Sequence, residues 1–134
     1  MKFPAVLTLS ILLAACTDRG SDDEQVRAVL ASAEQAAEER DASDVLEHIA
    51  TGYSDSRGFD RTQLQTFLRG YFLANPKVEV LLDIESLELP VPGLAQVRAD
   101  VTVLPAGDRA TLDVELRQQD GEWRIVRADR ARER

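Results

Sequence analysis

The sequence predicts an α+β domain in which N-terminal helices pack on one face of a curved antiparallel sheet. In residues 21–76, apolar side chains recur at helical spacing behind residues that cap helices. From Lys77 onward, apolar and polar side chains alternate instead, which is typical of strands that bury one face. Tight turns separate these strands, so we expect them to run antiparallel with the helices covering their apolar face.

Two of the predicted helices begin with the same capping pattern. Ser21 is followed three residues later by Glu24, and Asp60 is followed at the same spacing by Gln63. A run of apolar positions at helical spacing follows each pair, and Asn75-Pro76 ends the later helix.

A short helix and a turn-rich segment are predicted between these two helices. Either Asp41 or Ser43 caps the short helix, which includes Ile49 and ends at Gly52. Residues 53–59 are rich in turn-forming residues, and they predict a short strand with a hairpin turn.

The alternating half of the chain predicts a meander of four strands. They cover residues 78–89, 95–103, 110–116 and the stretch from Trp123 onward, with turns at 90–93, 105–108 and 120–121. The apolar phase shifts near Ser86, which indicates a β-bulge. If the turn at 105–108 sets the register of its hairpin, Asp100 lies opposite Asp113.

Residues 13–16, Leu-Ala-Ala-Cys, determine the expected destination of the chain. They follow Lys2 and an uncharged run over residues 3–15, which is shorter than the roughly 20 apolar residues that span a bilayer. The motif resembles a bacterial lipobox. This resemblance implies that residues 1–15 are a cleaved signal peptide, that Cys16 carries a lipid, and that 16–21 form a short tether. An ordinary secretory signal peptide is the alternative.

The lipobox resemblance also implies a location. The lipid would hold the protein on a membrane, facing the periplasm. An aspartate directly after the cysteine would resemble a signal for retention in the inner membrane. Residue 17 is a threonine, so the outer membrane is expected rather than the inner one. The folded domain then covers residues 22–130, and residues 131–134 form a frayed tail.

Charge and cysteine content argue against several classes of protein. The chain contains 24 acidic and 16 basic residues, a net charge of −8, which argues against binding to nucleic acid or to anionic lipid through a basic patch. Cys16 is the only cysteine, so no intramolecular disulfide can form. With one histidine and scattered carboxylates, the sequence predicts no metal site, and no cofactor is expected.

The order of elements and three motifs carry a second resemblance. The motifs are residues 53–61 (Tyr-Ser-Asp-Ser-Arg-Gly-Phe-Asp-Arg), Gly70-Tyr71-Phe72, and residues 120–126 (Asp-Gly-Glu-Trp-Arg-Ile-Val). Together they resemble the nuclear transport factor 2-like (NTF2-like) superfamily, whose cone-shaped fold includes the ketosteroid isomerase and SnoaL-like proteins. Because this superfamily contains enzymes, binding modules and dimer modules, the resemblance implies architecture rather than activity.

Catalysis of the ketosteroid isomerase kind would need an acid or base inside the cone, with hydrogen-bond donors such as tyrosines. The strand positions expected to line the cone are apolar, so the catalytic candidates are His48, Asp44, Tyr53 and Asp55. His48 and Asp44 are four residues apart on the short helix, where the carboxylate can orient the imidazole; a solvated surface pair is the alternative. Tyr71 is a candidate for ligand binding, although its aromatic stripe also suits a core.

Arg127 is the other candidate for ligand binding. If the last hairpin pairs without interruption, Arg127 faces the cone opposite Val114, where it needs an anionic ligand or a carboxylate from the helices. If a bulge at Ile125-Val126 interrupts the pairing, Arg127 returns to the charged face beside Glu115. The two adjacent apolar residues favour the bulge.

Three hypotheses follow for the function. The preferred one is a lipid-anchored, non-catalytic domain that binds an apolar or anionic amphipathic small ligand, or a protein partner. The second is a SnoaL-like or ketosteroid-isomerase-like enzyme, which a buried acid or base in the cone would favour. The third is a homodimeric structural module of the cell envelope, which an apolar outer sheet face would favour.

Overall fold

The computed structural model describes residues 20–132, which form three helices and one four-stranded sheet. The elements are α1 (Asp22–Glu38), α2 (Ala42–Leu46), α3 (Arg61–Ala74), β1 (Glu79–Val91), β2 (Leu94–Leu104), β3 (Asp108–Gln119) and β4 (Glu122–Arg130). The strands are antiparallel in the order β1-β2-β3-β4, which confirms the predicted α+β fold class. The expectations for residues 1–19, including Cys16, and for 133–134 lie outside the described residues.

Each helix begins behind a residue whose side-chain oxygen accepts a hydrogen bond from a backbone N–H group of the first turn. Asp60 and Gln63 form a complete capping box at α3, with each side chain accepting a hydrogen bond from the other residue's N–H at 2.8 and 2.9 Å. Ser21 caps α1 by accepting from the N–H of Glu24 at 3.2 Å. Asp41, rather than Ser43, caps α2.

The prediction that Ile49 lies on the short helix was wrong. The helix α2 ends at Leu46, and Ile49 instead forms a parallel bridge with Ile125 of β4. The N–H of Ala50 donates to the Ile125 carbonyl at 2.9 Å, and the Ile125 N–H donates to the His48 carbonyl at 2.8 Å. Because β4 is an edge strand, its outward backbone groups need partners, and the chain after α2 supplies them.

The predicted register of the β2–β3 hairpin was also wrong. Asp100 pairs with Thr111, and Arg98 pairs with Asp113. The ladder closes at the pair Val103 and Asp108, so the four-residue turn lies one residue earlier than predicted, at residues 104–107. The expected repulsion between carboxylates is replaced by an ion pair between Arg98 and Asp113 at 3.0 Å.

The other local features of the sheet agree with the sequence. The register of β1 and β2 shifts between Ile84 and Ser86, which confirms the predicted bulge. Asp120 and Gly121 both have positive φ, 52° and 78°, as expected for the Asp-Gly turn that joins β3 to β4. Beyond β4, the N–H of Ala131 donates to the Thr111 carbonyl at 2.8 Å, so the chain stays bonded to β3 at this point.

The core lies between the helices and one face of the sheet. Its most deeply buried large side chains are Trp123, Leu116 and Val26. A second apolar cluster contains Phe72 of α3 and Val80 of β1. The helices therefore cover the apolar sheet face, as predicted. None of the helices in residues 20–132 is long and apolar enough to cross a membrane.

Candidate functional site

A cavity of about 520 Å³ lies between the helices and the concave face of the sheet. Its walls are mainly apolar and come from α1, α3, the segment between α2 and α3, and all strands but β2. They include Leu30, Ala33, Ala37, Ile49, Leu64, Val80, Leu82, Ala110, Leu112, Val114, Ile125 and Ala128. Its polar lining consists of Glu34, Tyr53, Ser56, Arg57, Asp129 and Arg130. Arg57 and Arg130 are exposed, so the cavity meets solvent at this polar rim.

Asp55 organises the loop on which Tyr53 and Arg57 lie. Its side chain is completely buried. One carboxylate oxygen accepts hydrogen bonds from the Tyr53 hydroxyl at 2.9 Å and from the Arg57 guanidinium at 3.0 Å. The other oxygen accepts from the backbone N–H groups of Arg57 at 2.9 Å and Phe59 at 3.2 Å. Four donors therefore use the acceptor capacity of the carboxylate.

These hydrogen bonds also shift the pKa values of the Asp55 carboxyl group and the Tyr53 hydroxyl group. Burial alone would raise the pKa of Asp55, but the bonds from Tyr53, Arg57 and Phe59 outweigh it and lower that pKa. Burial, and then the bond to Asp55, raise the pKa of Tyr53 far above its usual value. Asp55 is therefore ionised and Tyr53 is neutral throughout the physiological pH range.

The guanidinium of Arg57 is held on two sides. Besides its ion pair with Asp55, it lies 4.4 Å from the ring centre of Phe59 and 5.5 Å from that of Phe67, within the range of cation–π attraction. The loop of residues 53–59 is thereby attached to α3.

Glu34 is the carboxylate of α1 that lines the cavity. Burial, followed by the neighbouring charge of Glu38, raises the pKa of Glu34. No ion pair engages Glu34 among the residues that the structure describes. Sequence reasoning missed Glu34, although its position on the same helix as Leu30 and Ala33 was visible in the helical spacing.

Arg127 does not enter the cone. Leu116 pairs with Ile125 and Glu115 pairs with Arg127, so Val126 is the extra residue of a bulge. The Arg127 side chain is 52% exposed and bonds to Asp129. The structure therefore has the bulged alternative, and the inward, ligand-binding placement of Arg127 was wrong.

The same bulge places Arg130 at the cavity. Beyond Val126, Ala128 pairs with Val114 and Arg130 pairs with Leu112, and all four of these residues line the cavity. Sequence reasoning missed Arg130, although alternation counted from an outward Arg127 would have placed it on the inner face.

Tyr71 packs outside the cavity lining. Its ring stacks against Phe67 at a centroid distance of 6.2 Å and meets Phe72 edge-on at 6.3 Å. Tyr71 also contacts the second apolar cluster. Its aromatic stripe therefore has a packing role, and the cavity offers no place for Tyr71 as a ligand-binding residue.

His48 and Asp44 do not form the expected pair. Asp44 lies in α2, whereas His48 lies beyond the end of that helix, so the two residues lose helical spacing. Neither residue lines the cavity. Within residues 20–132, no three His, Cys, Asp or Glu side chains are grouped closely enough to hold a metal ion.

We predict that Asp55→Asn lowers the free energy of unfolding by about 2 kcal/mol at neutral pH, because an amide group then faces donors that need an acceptor. The lowered pKa of Asp55 means that the carboxylate stabilises the fold above the ordinary aspartate value of 3.8 and loses this effect as the pH falls through the folded-state pKa. In urea unfolding, the difference between the two proteins should be constant near neutrality and should shrink below about pH 4.

Asp113→Asn is the matched control, since Asp113 is half-exposed in its ion pair with Arg98. It should cost less than about 1 kcal/mol. Equal costs for the two variants would show that the bonds around Asp55 do not hold the loop.

Comparison with known proteins supports the fold alone. No family model matches the sequence, and no match was found among curated proteins. The chain is similar in structure to a domain of unknown function with a cystatin-like fold from Nostoc punctiforme, with 13% identity and a TM-score of 0.69 over 84% of this chain and 78% of that one.

The chain is also similar in structure to two NTF2-like proteins of unknown function. The one from Shewanella oneidensis has 16% identity and a TM-score of 0.63 over 81% of this chain and 97% of its own. The one from Shewanella baltica has 14% identity and a TM-score of 0.64 over 79% and 89%. The chain thus has the NTF2-like α+β cone fold: helices first, then a four-stranded antiparallel sheet.

Proposed function

We propose that the cavity binds an apolar or amphipathic small ligand and that the domain performs no catalysis on it. The observation that carries this proposal is the distribution of polarity: the walls are apolar, whereas charged side chains lie at the rim. A volume of about 520 Å³ also lies within the range of roughly 300–1,000 Å³ that is usual for small-molecule sites.

The chemistry of the catalytic candidates supports a binding role. Proton transfer needs a group that reaches the ligand and changes its protonation state near the working pH. Asp55 is buried behind four hydrogen bonds and stays ionised, and Tyr53 stays neutral. His48 and Asp44 lie away from the cavity.

A bulky residue in the cavity should block binding. We expect Ala33→Phe to weaken binding of the fluorescent probe 1-anilinonaphthalene-8-sulfonate at least about tenfold, or about 1.4 kcal/mol, because Ala33 lines the cavity. Ala31→Phe is the control, since Ala31 is exposed on the same helix. A fluorescence titration of the three proteins, with their melting temperatures, makes the comparison. Equal affinities in folded variants would exclude the cavity as the probe's site.

We propose further that the protein is anchored by a lipid on Cys16 and faces the periplasm, with the outer membrane as its location. The lipobox at residues 13–16 and the threonine at position 17 support this proposal.

Replacing Cys16 should abolish lipidation. Cells that express the protein and are grown with radioactive palmitate should label the wild-type chain, whereas Cys16→Ser should remain unlabelled and keep the mass of the precursor. Label on the Cys16→Ser protein would contradict the lipobox interpretation. Membrane fractionation of the wild-type protein then tests the outer-membrane location.

A second candidate function, a SnoaL-like enzyme, is supported by Glu34. Its carboxylate lines an apolar cavity and has a raised pKa, which are the properties of a general base. The third hypothesis, a structural homodimer, receives less support, because the outer sheet face carries ion pairs such as Arg98 with Asp113 and Arg117 with Glu115.

The titration of Glu34 tests the observation that supports the enzyme hypothesis. A raised pKa means that ionised Glu34 destabilises the fold at neutral pH, and that this penalty disappears as the pH falls below the ordinary value of 4.5. Glu34→Gln should therefore increase the free energy of unfolding slightly at neutral pH and leave it unchanged in acid. A carboxyl midpoint at the ordinary value, measured by ¹³C NMR, would remove the support for an enzyme.

A further inference from the structure

We propose that the ligand is an amphipathic monocarboxylate, with its aliphatic tail in the cavity and its carboxylate bound by Arg130 at the rim. This inference rests on the proposed function, because it specifies which apolar ligand the cavity accepts.

The backbone of β4 directs Arg130 toward the cavity. Arg130 is paired across the sheet with Leu112, and paired residues of antiparallel strands point to the same face. Ala128, two residues earlier on this face, has a small side chain and also lines the cavity. A head group at Arg130 would therefore continue directly into a tail along Leu112 and Val114.

Arg130 is also the rim cation whose donors are unused. Arg57 bonds to Asp55, and Asp129 accepts bonds from the Ser56 N–H at 2.7 Å and from Arg127. No hydrogen bond or ion pair engages the Arg130 side chain in the part of the chain that the structure describes. A guanidinium offers paired donors that match the two oxygens of a carboxylate.

The carboxylates among the lining residues favour a head group with a single negative charge over one with two. Glu34 and Asp129 line the same cavity, so a ligand with two negative charges would meet more repulsion from these carboxylates than a ligand with one. A cationic head group would meet Arg130 and the half-exposed Arg57 instead. A neutral head group such as an alcohol can accept a hydrogen bond from Arg130, but it lacks the charge and the second oxygen that a carboxylate offers to the paired donors.

Octanoate and octanol test the inference, because they share an aliphatic chain and differ at the head group. We expect the purified mature protein, which begins at Cys16, to bind octanoate more tightly than octanol in isothermal titration calorimetry. Arg130→Gln should lower the affinity for octanoate about fivefold, which is the effect of one solvent-accessible ion pair, and should leave the affinity for octanol unchanged.

Arg117→Gln is the matched control. It removes the same charge from an exposed residue of β3 that does not line the cavity. It should therefore leave the affinities for both ligands unchanged. Ala33→Phe should lower the affinities for both ligands. Any binding that remains in this variant measures binding outside the cavity.

The outcomes distinguish the two proposals. If both ligands bind and Ala33→Phe weakens them, but Arg130→Gln changes neither affinity or changes both equally, the assignment of Arg130 is wrong and the cavity remains a binding site. An equal loss in Arg117→Gln would likewise overturn the assignment. If neither ligand binds at millimolar concentration, or if Ala33→Phe has no effect, both proposals fail.

Discussion

A single extra residue in β4 determines which side chains reach the cavity. Val126 has no partner on β3, so the phase of the strand reverses beyond it: Arg127 turns outward, and Ala128 and Arg130 turn inward. The outward backbone groups at this bulge then bind the chain after α2. Ala50 donates to the Ile125 carbonyl, and the Ser54 N–H donates to the Val126 carbonyl at 3.2 Å. The bulge at Val126 thus positions both Arg130 at the cavity rim and the chain segment that follows α2.

The bonds around Asp55 complete this arrangement. The loop that begins at Tyr53 is attached to β4 by the bond from Ser56 to Asp129, and to α3 by the contact of Arg57 with the Phe59 and Phe67 rings. Asp55 connects these parts by accepting four bonds from inside the loop. Burying this charge is tolerated because each oxygen has donors, and for the same reason the carboxylate has little capacity left for chemistry.

The candidate site could be predicted only in part. Tyr53 and Asp55 were identified from the sequence, and the structure places Tyr53 on the cavity wall and Asp55 directly behind it. The roles of Tyr53 and Asp55 could not be predicted from the sequence, because the donors to Asp55 come together only when residues 53–59 fold into a loop. Arg130 was missed because its direction depends on the position of the bulge, and Glu34 was missed because only the folded cavity desolvates it.

The sequence by itself determined the fold class, the caps at Ser21 and Asp60, the bulge near Ser86 and the Asp-Gly turn. These features depend on residues close together in the chain, through helical or alternating spacing and the hydrogen bonds of short side chains. Only the tertiary structure decided that Ile49 lies outside the helix and pairs with β4, and that Asp100 faces Thr111. It also decided between the two alternatives for β4 in favour of the bulge that the sequence favours, so that Arg130 rather than Arg127 faces the cone. Each of these depends on the partner that a strand meets across the sheet, and local spacing does not fix that partner when a turn shifts by one residue or a strand gains a residue.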